Sequence, residues 1–150
     1  MPSIDHLFVY GTLRRGFGHA MHHVLTASAD PAGHAVAPGT LFDLGPYPGL
    51  WLGDRPDPGV HGELYRLRPD RAAETLDRLD EYEGVRAAEV DGCLYRRAAI
   101  DVRQDRRAVT AWVYLLTAVP TRSVLIPGGD YLAWITSGGD SGRAPERGSP

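Results

Sequence analysis

One stretch of this chain has the apolar spacing of a helix of several turns, and prolines and glycines divide much of the rest into short segments. Within that stretch, Ala72, Leu76 and Leu79 are separated by four and three residues, which places them on one face of a helix. Pro69 suits the first turn of such a helix, and the glycine after Glu83 suits its C-terminal cap. The spacing therefore predicts an amphipathic helix from Pro69 to about Glu83.

Short apolar or alternating segments predict strands on both sides of this helix. Between residues 30 and 59, clusters such as GPYPG and DRPDPG predict turns around one strand, at about Gly39–Asp43. The order of the elements predicts an α+β fold with a small mixed sheet or barrel. The other predicted elements are strands at His6–Tyr10, Val60–Leu67, Leu94–Arg103 and Ala108–Leu116, a short helix at His19–Leu25 and an end piece at Tyr131–Ile135.

The apolar face of the predicted helix ends in a carboxylate. One further step of four residues along the stripe leads to Glu83, whereas Asp80 and Glu81 are expected to point elsewhere. A carboxylate at the edge of a buried face is costly unless it is paired or used. Burial would raise its pKa and make Glu83 a candidate general base or acid near neutral pH. The alternatives are a side chain that bends out to water, or an ion pair with Arg86 or Arg96.

Composition removes several classes of chemistry. All 16 basic side chains are arginine, which excludes lysine Schiff bases and phosphate-loop lysines. The single Cys93 excludes an internal disulfide and a cysteine zinc cage. A net charge of −3 argues against general nucleic-acid binding, and no signal-peptide pattern or membrane-spanning apolar run is present in the sequence. We expect a soluble, cytoplasmic domain over residues 1–136, without a metal or cofactor, and a flexible tail over 137–150.

A glycine directly after the first predicted strand marks a second candidate site. In VYGTL, Gly11 permits unusual backbone angles and the close approach of a ligand. Backbone N–H groups in such a turn can hold a carboxylate or a carbonyl oxygen. Arg14 and Arg15 follow this turn, where they would either attract an anionic group or lie solvated in a loop.

The remaining polar clusters have weaker patterns. His19, His22 and His23 could share a helix face and bind a metal, but no third ligand is adjacent in sequence, which favours a surface or pocket-edge helix. Cys93 lacks the local signature of a catalytic thiol. We expect residues 54–57 to form a turn, and the three tryptophans to lie in the core or at its rim.

Four motifs occur in the order that is typical of one family. VYGTLRRG resembles the YGSL-type signature of the γ-glutamylcyclotransferase-like superfamily, with Thr12 where serine is frequent. LDRLDEYEG followed by LYRR is similar to its second signature, in which a helix ends in a catalytic Glu. VHGELYRL resembles a strand between them, and YPGL and AWVYLL also fit. The similarity spans about residues 6–135 and points to the short AIG2-like, or γ-glutamylamine cyclotransferase, subgroup.

The resemblance implies a fold and a reaction. The implied fold is a small mixed β-barrel of five to six strands with flanking helices and a cavity. In the implied reaction, the free α-amine of a γ-glutamyl group attacks its own γ-carbonyl, closes 5-oxoproline and releases an amine. The resemblance assigns Glu83 as base and acid, and the backbone of Tyr10, Gly11, Thr12 and Leu13 as the cradle for the γ-glutamyl group.

Two further tyrosines are candidate substrate-binding residues. Tyr95 and Tyr114 fall in predicted strands, where packing in the core is the competing interpretation. The family places tyrosine hydroxyls in the cavity, which implies a substrate-binding role for both. Residues 85–92 lengthen the spacing between Glu83 and Tyr95, so the sequence does not predict which amine leaves.

The expected partner is a small γ-glutamyl substrate, with neither nucleic acid nor membrane, and the sequence does not predict an oligomeric state. Two other functions fit the same motifs. One is the removal of a γ-glutamyl protecting group during natural-product assembly. The other is a non-catalytic module that binds a small ligand in the same cavity.

Overall fold

A computed structural model describes residues 4–11, 20–45, 47–53, 59–83 and 94–136 of the chain. Within these ranges all strands belong to one sheet, and no helix is long and apolar enough to cross a membrane. The described elements are β1 (His6–Val9), α1 (Ala20–Ser28), β2 (Ala29–Ala37), β3 (Thr40–Asp43), β4 (Pro48–Trp51), β5 (Val60–Leu67), α2 (Ala72–Glu83), β6 (Tyr95–Gln104), β7 (Arg107–Leu116), β8 (Val124–Leu125) and α3 (Tyr131–Thr136).

Five of the described strands close into a barrel. Their order is β1, β5, β2, β6 and β7, and β7 pairs again with β1. The first four pairings are antiparallel, whereas β1 and β7 run parallel. Beyond the barrel, β4, β3 and β8 extend the sheet from β7 in that order. The predicted class, α+β with a small mixed barrel and flanking helices, is confirmed.

Alternation of side chains along the strands produces two apolar cores. Phe8 of β1 and Leu64 of β5 belong to the first core, together with residues of β2, β3, β4, β6 and β7. Leu7 and Val9 face the opposite way and belong to the second core, which packs the sheet against α1 and α2. The strands approach closely at Gly62, where a Cβ would lie 2.5 Å from the Phe8 ring. The members of the second core from the two helices are Leu25, Leu76 and Leu79.

Most elements with a clear periodic pattern lie where the sequence predicts them. The strand β5 has the predicted bounds, and β1, β6 and β7 agree to within one residue at each end. The predicted end piece is the helix α3, and α1 continues three residues beyond the predicted end at Leu25. The helix α2 ends at Glu83 as predicted, but it begins at Ala72 because Pro69 and its neighbours form a turn.

The prediction of a single strand between residues 30 and 59 is wrong. This region contains three strands, β2, β3 and β4, of which the sequence predicts β3 alone. Pro31 lies at a β-bulge, where the register between β2 and β5 shifts, and Pro48 is the first residue of β4. Strands tolerate proline at bulges and at their first residue, so proline here does not exclude a strand. The short β8 is also absent from the prediction, and residues 54–58 and 137–150 lie outside the described ranges.

Candidate active site

A cavity of about 40 Å³ lies where β7 changes its neighbour. One edge of β7 pairs with β1 at Trp112 and with β4 at Leu115, both in parallel. The end of β1 and the start of β4 therefore meet beside the same part of β7. Residues from five segments of the chain line the cavity here, among them Tyr10, Gly11, Pro48, Glu83, Tyr95 and Tyr114.

Glu83 is the last residue of α2, and its side chain is half-buried against this cavity. Burial raises the pKa of its carboxyl from 4.5 to about 7. Within the described residues the carboxylate has no hydrogen-bond or ion-pair partner. Of the two arginines considered as partners, Arg96 is exposed and Arg86 lies outside the described ranges. A carboxyl with this pKa can both take up and return a proton near neutral pH.

Three buried tyrosines surround this carboxyl, and each is fixed by hydrogen bonds. The Tyr10 hydroxyl donates to the backbone carbonyl of Tyr114 (2.6 Å) and accepts from the backbone N–H of Leu50 (3.1 Å). The Tyr95 hydroxyl donates to the backbone carbonyl of Pro48 (2.6 Å). Burial is the main cause that raises the pKa of all three phenols, including Tyr114, and the Glu83 charge adds to it. The phenols therefore remain protonated in the range in which Glu83 titrates.

Gly11 lies two residues after the end of β1, where the chain passes close to β4. A Cβ at this position would lie 2.8 Å from Cγ of Pro48. Glycine therefore permits the two segments to approach and to share the cavity wall. Thr12 and Leu13, the other two residues of the predicted cradle, lie outside the described ranges, as do Arg14 and Arg15.

The prediction that Asp80 points away from the buried face of the helix is wrong. Its side chain is only 20% exposed. Oδ1 accepts hydrogen bonds from the Tyr114 hydroxyl (2.7 Å) and from Nε of Arg97 (2.8 Å), and Oδ2 accepts from Nη2 of Arg97 (3.2 Å). The guanidinium also lies 4.4 Å from the ring centroid of Trp112. Asp80 is one turn before Glu83, and the edge of the apolar stripe faces β6 and β7 rather than water.

Sequence reasoning missed Arg97 as well as the role of Asp80. The sequence signal for Arg97 is its place in the LYRR motif, to which no role was assigned. Its position beside Tyr114 depends on the β6–β7 register, in which the two residues are directly opposite. The pair is thus a product of the tertiary fold.

Of the other candidates, none that the structure describes lines this cavity. Within the described residues, no group of three or more His, Cys, Asp or Glu side chains is placed to hold a metal ion. His23 is exposed on α1, whereas His19, the His22 side chain and Cys93 lie outside the described part of the chain. The tryptophans are partly buried against the two cores, as predicted: Trp51, Trp112 and Trp134.

Comparison with known proteins identifies the family. The family model described as gamma-glutamyl cyclotransferase, AIG2-like, matches residues 7–133. The chain belongs to this family. A Vibrio cholerae protein named "Putative gamma-glutamylcyclotransferase" is 35% identical over 130 residues, which cover 85% of this chain and 96% of that protein.

Two solved structures share the fold of this chain. YkqA from Bacillus subtilis superposes with a TM-score of 0.67 at 23% identity, over 92% of this chain and 44% of that one. The chain therefore spans less than half of YkqA. An AIG2-like protein from Mus musculus superposes with a TM-score of 0.65 at 22% identity, over 97% and 93% of the two chains. The family predicted from the motifs is confirmed, and the cavity lies within the matched residues.

Proposed function

We propose that this protein is a γ-glutamylcyclotransferase-type enzyme that converts a γ-glutamyl amine or amide into 5-oxoproline and a free amine. The α-amine nitrogen of the substrate attacks its own γ-carbonyl carbon, and the bond from that carbon to the γ-nitrogen breaks. The α-ammonium loses one proton before the attack and the same nitrogen loses a second as the ring closes, and both protons end on the leaving nitrogen, which departs as an ammonium. Family membership supports the reaction class, and the placement of Glu83 supports its mechanism.

Glu83 is proposed as the base and then the acid. An ammonium is not a nucleophile until it loses a proton, so the reaction requires a base beside the α-nitrogen. A carboxyl whose pKa is about 7 is a stronger base than an exposed glutamate, and once protonated it can return the proton to the leaving nitrogen. The single observation that carries the proposal is this half-buried carboxyl in a cavity whose other described lining residues are tyrosines, a glycine and apolar residues.

The scaffold is proposed to contribute positioning. Ring closure is intramolecular, so a fixed folded pose of the substrate removes much of the entropic barrier. Negative charge develops on the γ-carbonyl oxygen and requires inward-pointing N–H donors. We assign these to the backbone of Tyr10, Gly11, Thr12 and Leu13, of which the first two line the described cavity.

The experiment is an assay for 5-oxoproline release from γ-glutamyl amines, γ-glutamyl amino acids and glutathione. We expect turnover of at least one class, and at least a 100-fold lower kcat for Glu83→Gln, because the amide cannot take up the proton. The matched control is Glu81→Gln, which removes an exposed carboxylate from the same helix. Full activity of Glu83→Gln would contradict the assignment of the base. Ligand binding without turnover of any substrate would contradict the enzymatic proposal and favour a binding module.

A further inference from the structure

We propose that Asp80 is a positioning residue that turns Tyr114 into a hydrogen-bond acceptor toward the cavity, and so makes the wall beside Glu83 selective for a cationic amine. This inference rests on the proposed function, since it assigns the residues that recognise the α-ammonium of the substrate. The inference concerns the affinity and selectivity of substrate binding, whereas the proposed function concerns the proton transfer.

The contacts of Asp80 leave the Tyr114 hydroxyl no choice of direction. A carboxylate beside a guanidinium is an acceptor only, so the 2.7 Å contact between the hydroxyl and Oδ1 requires the hydroxyl to donate. Arg97 holds the carboxylate in place through two hydrogen bonds, at 2.8 and 3.2 Å, and its guanidinium lies over the Trp112 ring. The Asp80 and Arg97 side chains are 20% and 22% exposed, so water competes weakly for these bonds.

The same accounting applies to the other two buried tyrosines of the cavity, whereas the fourth tyrosine that lines it, Tyr47, is 40% exposed. Tyr10 and Tyr95 donate to backbone carbonyls, which can only accept. The proton of each of the three hydroxyls is therefore committed to a protein acceptor. The hydroxyl oxygens of Tyr95 and Tyr114 can still accept a hydrogen bond from a ligand. Each hydroxyl has one proton, which is already donated, and further acceptor capacity.

A wall of this kind discriminates by hydrogen-bond polarity. An α-ammonium brings N–H donors and a positive charge, which suit phenolic oxygens and the neighbouring Glu83 carboxylate. A substrate without the amine offers this wall no donor at that position and leaves the polar groups without a partner. Of the three committed protons, the Tyr114 proton is the only one held by a side chain, so it is the one that a side-chain substitution can release.

The test measures binding by calorimetry in a Glu83→Gln background, where turnover is blocked. The probes are L-γ-glutamylmethylamide and its desamino counterpart, glutaric acid monomethylamide, which lacks only the α-ammonium. In this background we expect the amine-bearing probe to bind at least ten times more tightly. Asp80→Ala should weaken its binding about tenfold, because the released Tyr114 proton can then face the cavity, while binding of the desamino probe stays within about twofold.

Two further variants separate positioning from folding. Tyr114→Phe removes the acceptor oxygen and keeps the ring, so it should weaken binding of the amine-bearing probe by about the same factor. The double variant with Asp80→Ala should lose nothing more, since Asp80 acts through Tyr114. Asp77→Ala removes an exposed carboxylate one helical turn before Asp80 and should change the affinity for neither probe.

An equal loss of affinity for both probes in Asp80→Ala would overturn the inference and leave Asp80 with a structural role. Additive losses of affinity in the double variant would do the same. Equal affinity of the Glu83→Gln protein, without further substitution, for the two probes would also overturn it. If Asp80→Ala does not fold, Tyr114→Phe decides alone, by whether the preference for the amine-bearing probe falls. These readouts need no 5-oxoproline, so a failed turnover assay overturns the proposed reaction without deciding the role of Asp80.

Discussion

Replacement of Glu83 by glutamine is expected to stabilise the protein, and to do so more as the pH rises. The carboxyl lies half-buried at the end of α2, where burial raises its pKa from 4.5 to about 7. A carboxylate in that place is poorly solvated relative to the unfolded chain. Glutamine has nearly the same shape and no charge at any pH, so the substitution removes the cost of ionisation and little else.

The sign and size of the effect follow from the two pKa values. Below about pH 4.5 the carboxyl is protonated in both states, and ionisation costs the folded protein nothing. As the pH rises from 4.5 to about 7, the unfolded chain loses the proton first, so the free energy of unfolding falls. Each unit of pKa difference corresponds to about 1.4 kcal/mol, so the full penalty above pH 7 is about 3 kcal/mol. Between pH 5 and pH 8 we expect a change of about 2–3 kcal/mol.

The measurement is urea unfolding of the wild type and the Glu83→Gln variant at pH 5 and pH 8. The quantity of interest is how much the stability difference between the two proteins grows between those pH values, because all other titrating groups cancel. Glu81→Gln, on the exposed side of the same helix, should show a pH-independent difference close to zero. A Glu83→Gln difference that is the same at both pH values would refute the reasoning, since it would mean that the folded protein ionises Glu83 like an exposed glutamate.

Three more outcomes are expected. With a γ-glutamyl substrate that is turned over, kcat/KM should rise about tenfold per pH unit below pH 7 and level off above it, as a base with a pKa of about 7 requires; a profile flat between pH 5 and 8 would contradict this. Gly11→Ala should lower kcat/KM about 10- to 100-fold because a Cβ would lie 2.8 Å from Pro48, and urea unfolding should separate this from a loss of folding. Leu79→Ala should cost about 2–5 kcal/mol of unfolding free energy, because the leucine is fully buried between α2 and the sheet, and a loss below 1 kcal/mol would contradict that packing.

The sequence predicted those parts of the fold in which local pattern and tertiary position agree. The strand β5 and the β6–β7 hairpin alternate clearly or are split by an obvious polar turn, and their bounds are found almost unchanged. The strands β2 and β4 contain prolines, and their assignment depends on neighbours distant in sequence. Proline is compatible with β2 because the strand has a bulge there, and a bulge is a property of the pairing rather than of one segment.

The site divides in the same way. The helical period alone brings Glu83 to the lip of the buried face, and the structure places it in the cavity. The period fails for Asp80 because a short side chain at the edge of the stripe can reach sideways to a neighbouring strand. Its partners Tyr114 and Arg97 are 34 and 17 residues away in sequence. No pattern within the helix contains that information.

The cavity and the change of neighbour along β7 have one cause. Where the edge of β7 passes from β1 to β4, neither strand alone continues the ladder, so backbone groups there need other partners. The Tyr10 hydroxyl supplies them, since it donates to the carbonyl of Tyr114 on β7 and accepts from the N–H of Leu50 on β4. A side chain thus replaces a stretch of strand pairing, and the space that a strand would fill remains as the cavity. A phenol that completes the sheet must stay protonated, whereas Glu83, with a pKa of about 7, can exchange a proton near neutral pH.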